Sequence, residues 1–226
     1  MKCSLYCHFL ATLALSTVYF LVPNVGTKIL PVMALCILTF LEGNRYSKYV
    51  AIGLIFSAIG DVSLELEDGN FLIFLCGVVS FLIAHCFYIR AYISSNIDYE
   101  YKIACGVAFV TYYCILMGIL IPYTDAIMIP ATLIYGGVIA SMACLATNRY
   151  FTLEIGATSR TTALIGSIFF LASDTTLSIN LFRTSVPHSN VIIMVTYYIG
   201  QMLIAMSAKD PYREGFEGGA ATPLIA

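Results

Sequence analysis

The sequence predicts an all-α polytopic membrane protein in which eight transmembrane helices form a parallel 4+4 internal repeat. The first observation is composition: 60% of the 226 residues are hydrophobic and 11% are charged, with a mean hydropathy of +0.89. Soluble domains carry roughly 25% charged residues, so this composition is typical of a lipid environment. The second is that apolar runs of roughly 20 residues, the length that crosses a bilayer, recur along the whole chain. The third is a repeated segment around two aspartates.

The apolar runs, separated by polar or turn-rich breaks, predict the helices in order. They lie at about 4–22, 28–42, 48–65, 70–90, 102–121, 127–146, 160–182 and 190–207. The second carries Pro31 near its start, where proline is tolerated because its missing N–H would be unpaired anyway. We therefore expect one transmembrane domain over residues 1–208, with repeat halves at about 1–95 and 100–208. The glycine-rich segment 209–226 is expected to be a disordered cytoplasmic tail.

The repeated segment is 53–64, which returns as 166–177 with its glycine, phenylalanine, aspartate and leucine matched at one offset of 113 residues. Asp61 in the first copy corresponds to Asp174 in the second, and neither copy contains another acidic residue. An ionised carboxylate in hydrocarbon is costly, so an acid at such a position is by default a functional-site hypothesis. The sequence itself supplies a partner for each acid, namely the other aspartate.

Weaker similarities extend the repeat, since 28–31 resembles 127–130 and 81–84 resembles 202–205. Spans one to four thus correspond to spans five to eight, and an even number of spans per unit preserves orientation. The residue before each aspartate is small, Gly60 or Ser173, and small residues let helices approach closely. We therefore predict that spans three and seven cross beside each other, with both carboxylates facing one cavity at equal depth.

The loop charges predict the orientation. Nine lysines and arginines fall on the side that holds both termini, and only Lys28 and Arg183 fall on the other. This positive-inside bias predicts cytoplasmic termini, with the acidic loop 65–68 on the opposite side. We expect the endoplasmic reticulum or another endomembrane as the location. The net charge of −2 gives no reason to expect a nucleic-acid partner.

Two carboxyls in one low-dielectric site cannot both ionise easily, so they are expected to share a proton, and one can act as acid while the other acts as base. Such a pair suits a hydrolysis that needs both. The alternative is a structural pair that caps backbone or binds Lys28. Six further polar residues lie in or beside the spans and are candidates for substrate binding, each with a structural role as the alternative: Lys28, His85, Tyr88, Asn180, Tyr197 and Gln201.

Neither a cofactor nor a metal site is predicted. The three histidines, His8, His85 and His188, belong to a span end, a span interior and a loop on the opposite side, so they cannot form a three-ligand site at one depth. The eight cysteines show no C-x-x-C spacing and are expected to be reduced, small apolar residues.

Four motifs in this order resemble one known family. They are Gly60-Asp61; Phe74, Gly77, Phe81, Ala84, His85 and Tyr88 of the fourth span; Ser173-Asp174; and Thr196-Tyr197-Tyr198 with Gln201, Leu203, Ile204 and Ala205. The set resembles the YhhN-like transmembrane lysoplasmalogenases. The resemblance implies an eight-span hydrolase that cleaves the vinyl ether of lysoplasmalogens to a fatty aldehyde and glycerophospho-ethanolamine or -choline. The two essential acids of that family would correspond to Asp61 and Asp174.

Two other functions remain open from the residues. An intramembrane aspartyl protease also places acids on two helices, although Ala58 stands where its G-x-G-D motif has the first glycine. A non-enzymatic transporter or lipid receptor would also carry membrane acids on a parallel repeat. For the hydrolase the expected partners are a lysophospholipid substrate and membrane lipid, and the sequence leaves a homo-oligomer open.

Overall fold

The structure is a computed structural model that describes residues 5–95 and 102–209, and of Leu5 and Lys102 it describes the backbone only. The described residues form eight α-helices. These are α1 (Leu5–Leu21), α2 (Val25–Phe40), α3 (Arg45–Glu65), α4 (Phe71–Ile93), α5 (Lys102–Leu120), α6 (Ile129–Phe151), α7 (Ala157–Phe182) and α8 (Ser189–Met206). A short 3-10 turn, Ile121–Tyr123, follows α5. The predicted all-α class is confirmed, whereas the expected disordered tail falls, from residue 210 on, outside the described residues.

Six of the helices that the structure describes, α3 to α8, are long and apolar enough to cross a membrane. The chain is thus a multi-pass membrane protein. With 17 and 16 residues, α1 and α2 are shorter than the roughly 20 residues that a full span needs. Eight complete spans and the 4+4 repeat therefore stay predictions.

Asparagine side chains fix the starts of three helices. Asn24 accepts a hydrogen bond from the backbone N–H of Thr27, and the Thr27 hydroxyl in turn accepts one from the Asn24 N–H. Asn44 and Asn70 accept bonds from the first-turn N–H groups of α3 and α4. These contacts satisfy N–H donors that have no partner within the helix. Each of the three helices therefore begins directly after an asparagine whose side-chain oxygen accepts these bonds.

The prediction that the third and seventh helices cross beside each other is wrong. Instead α3 packs mainly on α2 and α4, and α7 packs mainly on α6 and α8. The absence of a side chain at Gly60 leaves room for the ring of Phe81 from α4, since a Cβ there would lie 2.6 Å from that ring. The same ring contacts Phe170 of α7 at a centroid distance of 6.4 Å. An aromatic side chain of α4 therefore occupies the space that the prediction assigned to a direct crossing.

At one end of the bundle a buried arginine connects three helices with the residues that follow two others; we call this the arginine end. Arg149 of α6 is fully buried and its guanidinium donates to Ser95 Oγ and to the carbonyl and Oγ of Ser159, at 2.8–3.0 Å. It also lies 4.6 Å from the ring centroid of Tyr46, whose hydroxyl bonds to Ser207 Oγ. The Ser159 hydroxyl donates to the Ser207 carbonyl. These contacts connect α3, α6, α7 and the residues that follow α4 and α8.

Candidate active site

One cavity of about 280 Å³ opens inside the bundle, and both aspartates line it. Its walls come from α3 to α8, with Lys28 from the first turn of α2. Asp61 and Asp174 are 4% and 9% exposed. Helix α3 continues four residues past Asp61 and α7 continues eight past Asp174. With a rise of 1.5 Å per residue, the acids lie about 6 and about 12 Å from the ends of their helices. The prediction that both carboxylates face one cavity is therefore confirmed, although helices α3 and α7 are not neighbours.

Each carboxylate accepts a hydrogen bond from a tyrosine of another helix. The Tyr197 hydroxyl of α8 donates to Asp61 Oδ2 at 2.6 Å, and the Tyr135 hydroxyl of α6 donates to Asp174 Oδ2 at 2.5 Å. A hydrogen bond to a charged acceptor is stronger than one between neutral groups, so each tyrosine restricts the orientation of its carboxylate. The site thus consists of two aspartate–tyrosine pairs on four helices.

Tyr135 is not among the residues predicted from the motifs, although the sequence around it contains a pattern that points to a cavity-lining face. Thr132, Tyr135, Gly136 and Ile139 all line the cavity, and their spacing of three, four and seven residues is that of one helix face. A tyrosine on a face that also carries a threonine and a glycine is a candidate for a polar cavity. In a chain with 16 tyrosines, however, that pattern alone does not select it.

Three of the residues predicted for substrate binding lie behind the cavity wall. His85 is fully buried, and its Nε2 lies 3.9 Å from Asp174 Oδ2, too far for a hydrogen bond. Tyr88 donates to Gln201 Oε1 at 2.7 Å, and its hydroxyl also lies 3.3 Å from Ser57 Oγ. Neither Tyr88 nor Gln201 lines the cavity, so they form a buried polar contact between α3, α4 and α8.

The other three predicted residues lie nearer the end of the bundle that contains the cavity. Tyr197 lines the cavity beside Asp61 as described. Lys28 also lines it, and its Nζ pairs with Glu65 Oε2 at 2.8 Å. The side chain of Asn180 instead accepts a bond from the Val186 N–H and so holds the loop between α7 and α8.

The remaining wall is mostly apolar. Aliphatic and thioether side chains of α5 to α8, and of Met128 just before α6, line it: Leu116, Met117, Leu120, Met128, Ile139, Leu171, Leu177, Leu181, Ile193 and Met194. Below them the rings of Phe81, Phe170 and Tyr197 contact one another at centroid distances of 5.5–6.4 Å. Such a wall fits an alkyl chain. Among the residues that the structure describes, the acids that line it are Asp61, Asp174 and, at its end, Glu67. Within residues 5–95 and 102–209, no three His, Cys, Asp or Glu side chains are grouped to hold a metal ion.

Comparisons with known proteins agree with this architecture. A sequence model of the YhhN family matches residues 24–208. The human protein named lysoplasmalogenase TMEM86A is 30% identical over 193 residues, which cover 81% of this chain and 77% of the relative. The pig protein named lysoplasmalogenase TMEM86B is 32% identical over 187 residues, covering 81% of this chain and 74% of the relative. No solved structure matches the chain.

Proposed function

Because the chain belongs to the YhhN family, we propose that it is an integral membrane hydrolase that cleaves the vinyl ether bond of lysoplasmalogens. The products are a fatty aldehyde and a glycerophospho-headgroup. The relatives' names support the reaction. The observation that carries the mechanism is the pair of aspartates on one largely apolar cavity, each bonded to a tyrosine.

Hydrolysis of a vinyl ether begins with transfer of a proton to its β carbon, which leaves an oxocarbenium ion. In our proposal one aspartic acid donates that proton, and the negative charge of the other carboxylate stabilises the cation. A water molecule then adds to the cationic carbon and gives up a proton to a carboxylate. The resulting hemiacetal breaks its C–O bond to form the aldehyde and the alcohol of the headgroup. The net reaction consumes one water and returns both acids to their starting state.

The tyrosines and the apolar wall serve this reaction in different ways. Tyr135 and Tyr197 fix the carboxylates relative to the substrate, which reduces the reorganisation needed to reach the transition state. The apolar wall binds the alkenyl chain and excludes bulk water, so the charged intermediate interacts mainly with the aspartates. The headgroup then lies toward Lys28, at the end of the cavity.

We also propose an orientation and a location. Both termini, and with them the arginine end, face the cytoplasm of an endomembrane such as the endoplasmic reticulum, and Lys28 faces the opposite side. The excess of lysine and arginine in the loops of the terminal side supports this.

The test is aldehyde release from an alkenyl lysophospholipid by the purified protein in detergent micelles. Asp61→Asn and Asp174→Asn should each lower kcat by roughly 10²- to 10⁴-fold, the contribution of a general acid or base. Asp125→Asn is the matched control, since Asp125 is an exposed acid outside the cavity, and it should retain full turnover.

Wild-type turnover in both active-site variants would contradict the aspartate mechanism. If the wild-type protein releases no aldehyde but binds the lysolipid, the transporter or lipid-receptor function is supported instead. Cleavage of a transmembrane peptide that depends on both aspartates would support the intramembrane protease.

A further inference from the structure

The polar residues of the cavity lining include two groups at different levels. The inner level holds the aspartates and their tyrosines, and the outer level holds Lys28, Glu67 and Asn190. Lys28 is in the first turn of α2, Asn190 is the second residue of α8, and Glu67 is in the loop between α3 and α4. We call these three residues the cavity mouth.

The backbone holds Glu67 in place at the mouth. Its carbonyl accepts a hydrogen bond from the Asn70 N–H at 2.5 Å, which closes a turn whose middle residues, Asp68 and Gly69, have φ values of 37° and 75°. Positive φ values suit glycine and are tolerated by aspartate, so the turn is tight and specific. The Asn70 side chain then caps α4. Glu67 is thereby anchored between two helices.

The Glu67 side chain has an acceptor without a donor. Its Oε2 is buried and makes no hydrogen bond to any residue in 5–95 or 102–209. The nearby cation does not supply one, because the Lys28 ammonium pairs with Glu65. A buried carboxylate oxygen without a donor is costly, and a ligand that donates to it from the cavity recovers that cost.

We infer that Glu67 recognises the primary ammonium of an ethanolamine headgroup while Lys28 binds the adjacent phosphate, an inference that rests on the proposed lysoplasmalogen substrate. A primary ammonium carries three N–H donors and a positive charge, so it can form a charge-assisted hydrogen bond with a carboxylate oxygen. The trimethylammonium of choline carries the charge but no N–H. Glu67 is therefore a specificity-determining residue that favours ethanolamine over choline.

The spacing between the two levels agrees with such a substrate. Glu67 follows Asp61 by six residues, and four of them continue α3. At 1.5 Å per residue, the mouth lies up to about 9 Å above Asp61, a rise that an extended glycerophosphoethanolamine arm can span. A vinyl ether at the aspartates thus places the amine at the level of Glu67.

The experiment compares three alkenyl lysolipids that share one chain and differ in headgroup: ethanolamine, choline and a bare phosphate. Glu67→Gln should lower kcat/KM for the ethanolamine substrate roughly tenfold, as expected for loss of a charged hydrogen bond. Turnover of the bare-phosphate substrate should stay at the wild-type level. Asp68→Asn, which removes one charge from the same turn outside the cavity, should leave all three values unchanged.

A second variant separates misfolding from loss of recognition. Glu67→Lys should lower turnover of the ethanolamine substrate and raise turnover of the bare-phosphate substrate, a gain that a misfolded protein cannot give. Equal losses on all three headgroups in both variants, or no loss on ethanolamine, would overturn the role of Glu67. Absence of aldehyde release by the wild-type protein from every headgroup would instead contradict the proposed function itself.

Discussion

The Tyr135 hydroxyl belongs to α6, a helix that none of the sequence motifs singled out. It contacts Asp174, which the motifs did single out. By donating to Asp174 it contributes to the site as directly as Tyr197 does on the opposite side. Neither hydroxyl has to transfer a proton for this purpose. Its effect is to hold one oxygen of the carboxylate, so that the rotation of the acid is restricted.

Tyr135→Phe and Tyr197→Phe should each lower kcat for aldehyde release roughly 10- to 100-fold, because a hydrogen bond to a charged group is lost. The fold should survive, since the rings keep their aromatic contacts. Tyr113→Phe is the control, because that hydroxyl donates to the Leu133 carbonyl and not to an acid. Initial rates with saturating substrate measure the effect, and unchanged kcat in both variants would contradict a positioning role.

The two aspartates were predictable from the sequence, whereas their surroundings were only partly so. Acids in apolar helices are rare, so Asp61 and Asp174 stand out without any knowledge of the packing. Tyrosine and histidine are amphipathic and occur on any helix face. For this reason residue type alone does not distinguish Tyr197, which lines the cavity, from Tyr88, which is buried behind it.

At the scale of the helix, glycines determine how closely α7 and α8 approach. A Cβ on Gly166 would lie 3.0 Å from the Gly200 carbonyl oxygen, and a Cβ on Gly200 would lie 3.0 Å from the Phe170 backbone nitrogen. The opposing atoms belong to backbones and cannot rotate away. This close crossing places Tyr197 of α8 near Phe170 of α7, so the glycines help to position the site.

Gly200→Ala should therefore lower the free energy of unfolding by about 1–3 kcal/mol, the usual cost of overpacking. The matched control is Gly106→Ala in α5, where a new Cβ meets no atom within 4 Å. Thermal unfolding in micelles, followed by reaction of a thiol dye with the buried Cys36 and Cys105, measures both variants. A Gly200 variant as stable as the control would show that the helices can separate without cost.

Helix positions were predictable from apolar runs, but one end was not. The prediction ended the sixth helix near residue 146, where the polar sequence 147–149 begins, yet α6 continues to Phe151. Arg149 is buried there because serine and carbonyl oxygens from distant parts of the chain accept its N–H groups. Hydropathy along the sequence contains no information about such partners.

For the whole molecule, the helix contacts are compatible with the predicted duplication. Helix α4 packs on α6, and α2 packs on α8. Because the repeat relates α4 to α8 and α2 to α6, these two contacts correspond to each other. Residues of both halves line the cavity, so neither half forms it alone. The repeat itself stays a prediction, as does the orientation in the membrane.

Cysteine labelling tests the orientation. In a background that lacks the exposed native cysteines, Lys48→Cys at the start of α3 should react with an impermeant reagent from the cytoplasm. Leu66→Cys at the end of α3 should react only from the opposite side, because one span separates the two positions. Labelling of intact and permeabilised microsomes distinguishes the sides, and the reverse pattern would place the cavity mouth toward the cytoplasm.

The arginine end also has a consequence for synthesis. Arg149 leaves the ribosome before its acceptor Ser159, and Ser207, which accepts from Ser159, follows only after α7 and α8. The guanidinium must therefore remain hydrated, as a charge that resists translocation, until Ser159 at the start of α7 has been made. Only then can it be buried without losing its hydrogen bonds. Burial of Arg149 thus waits for the first residues of α7, and a chain that stops before Ser207 leaves the Ser159 hydroxyl without the carbonyl to which it donates.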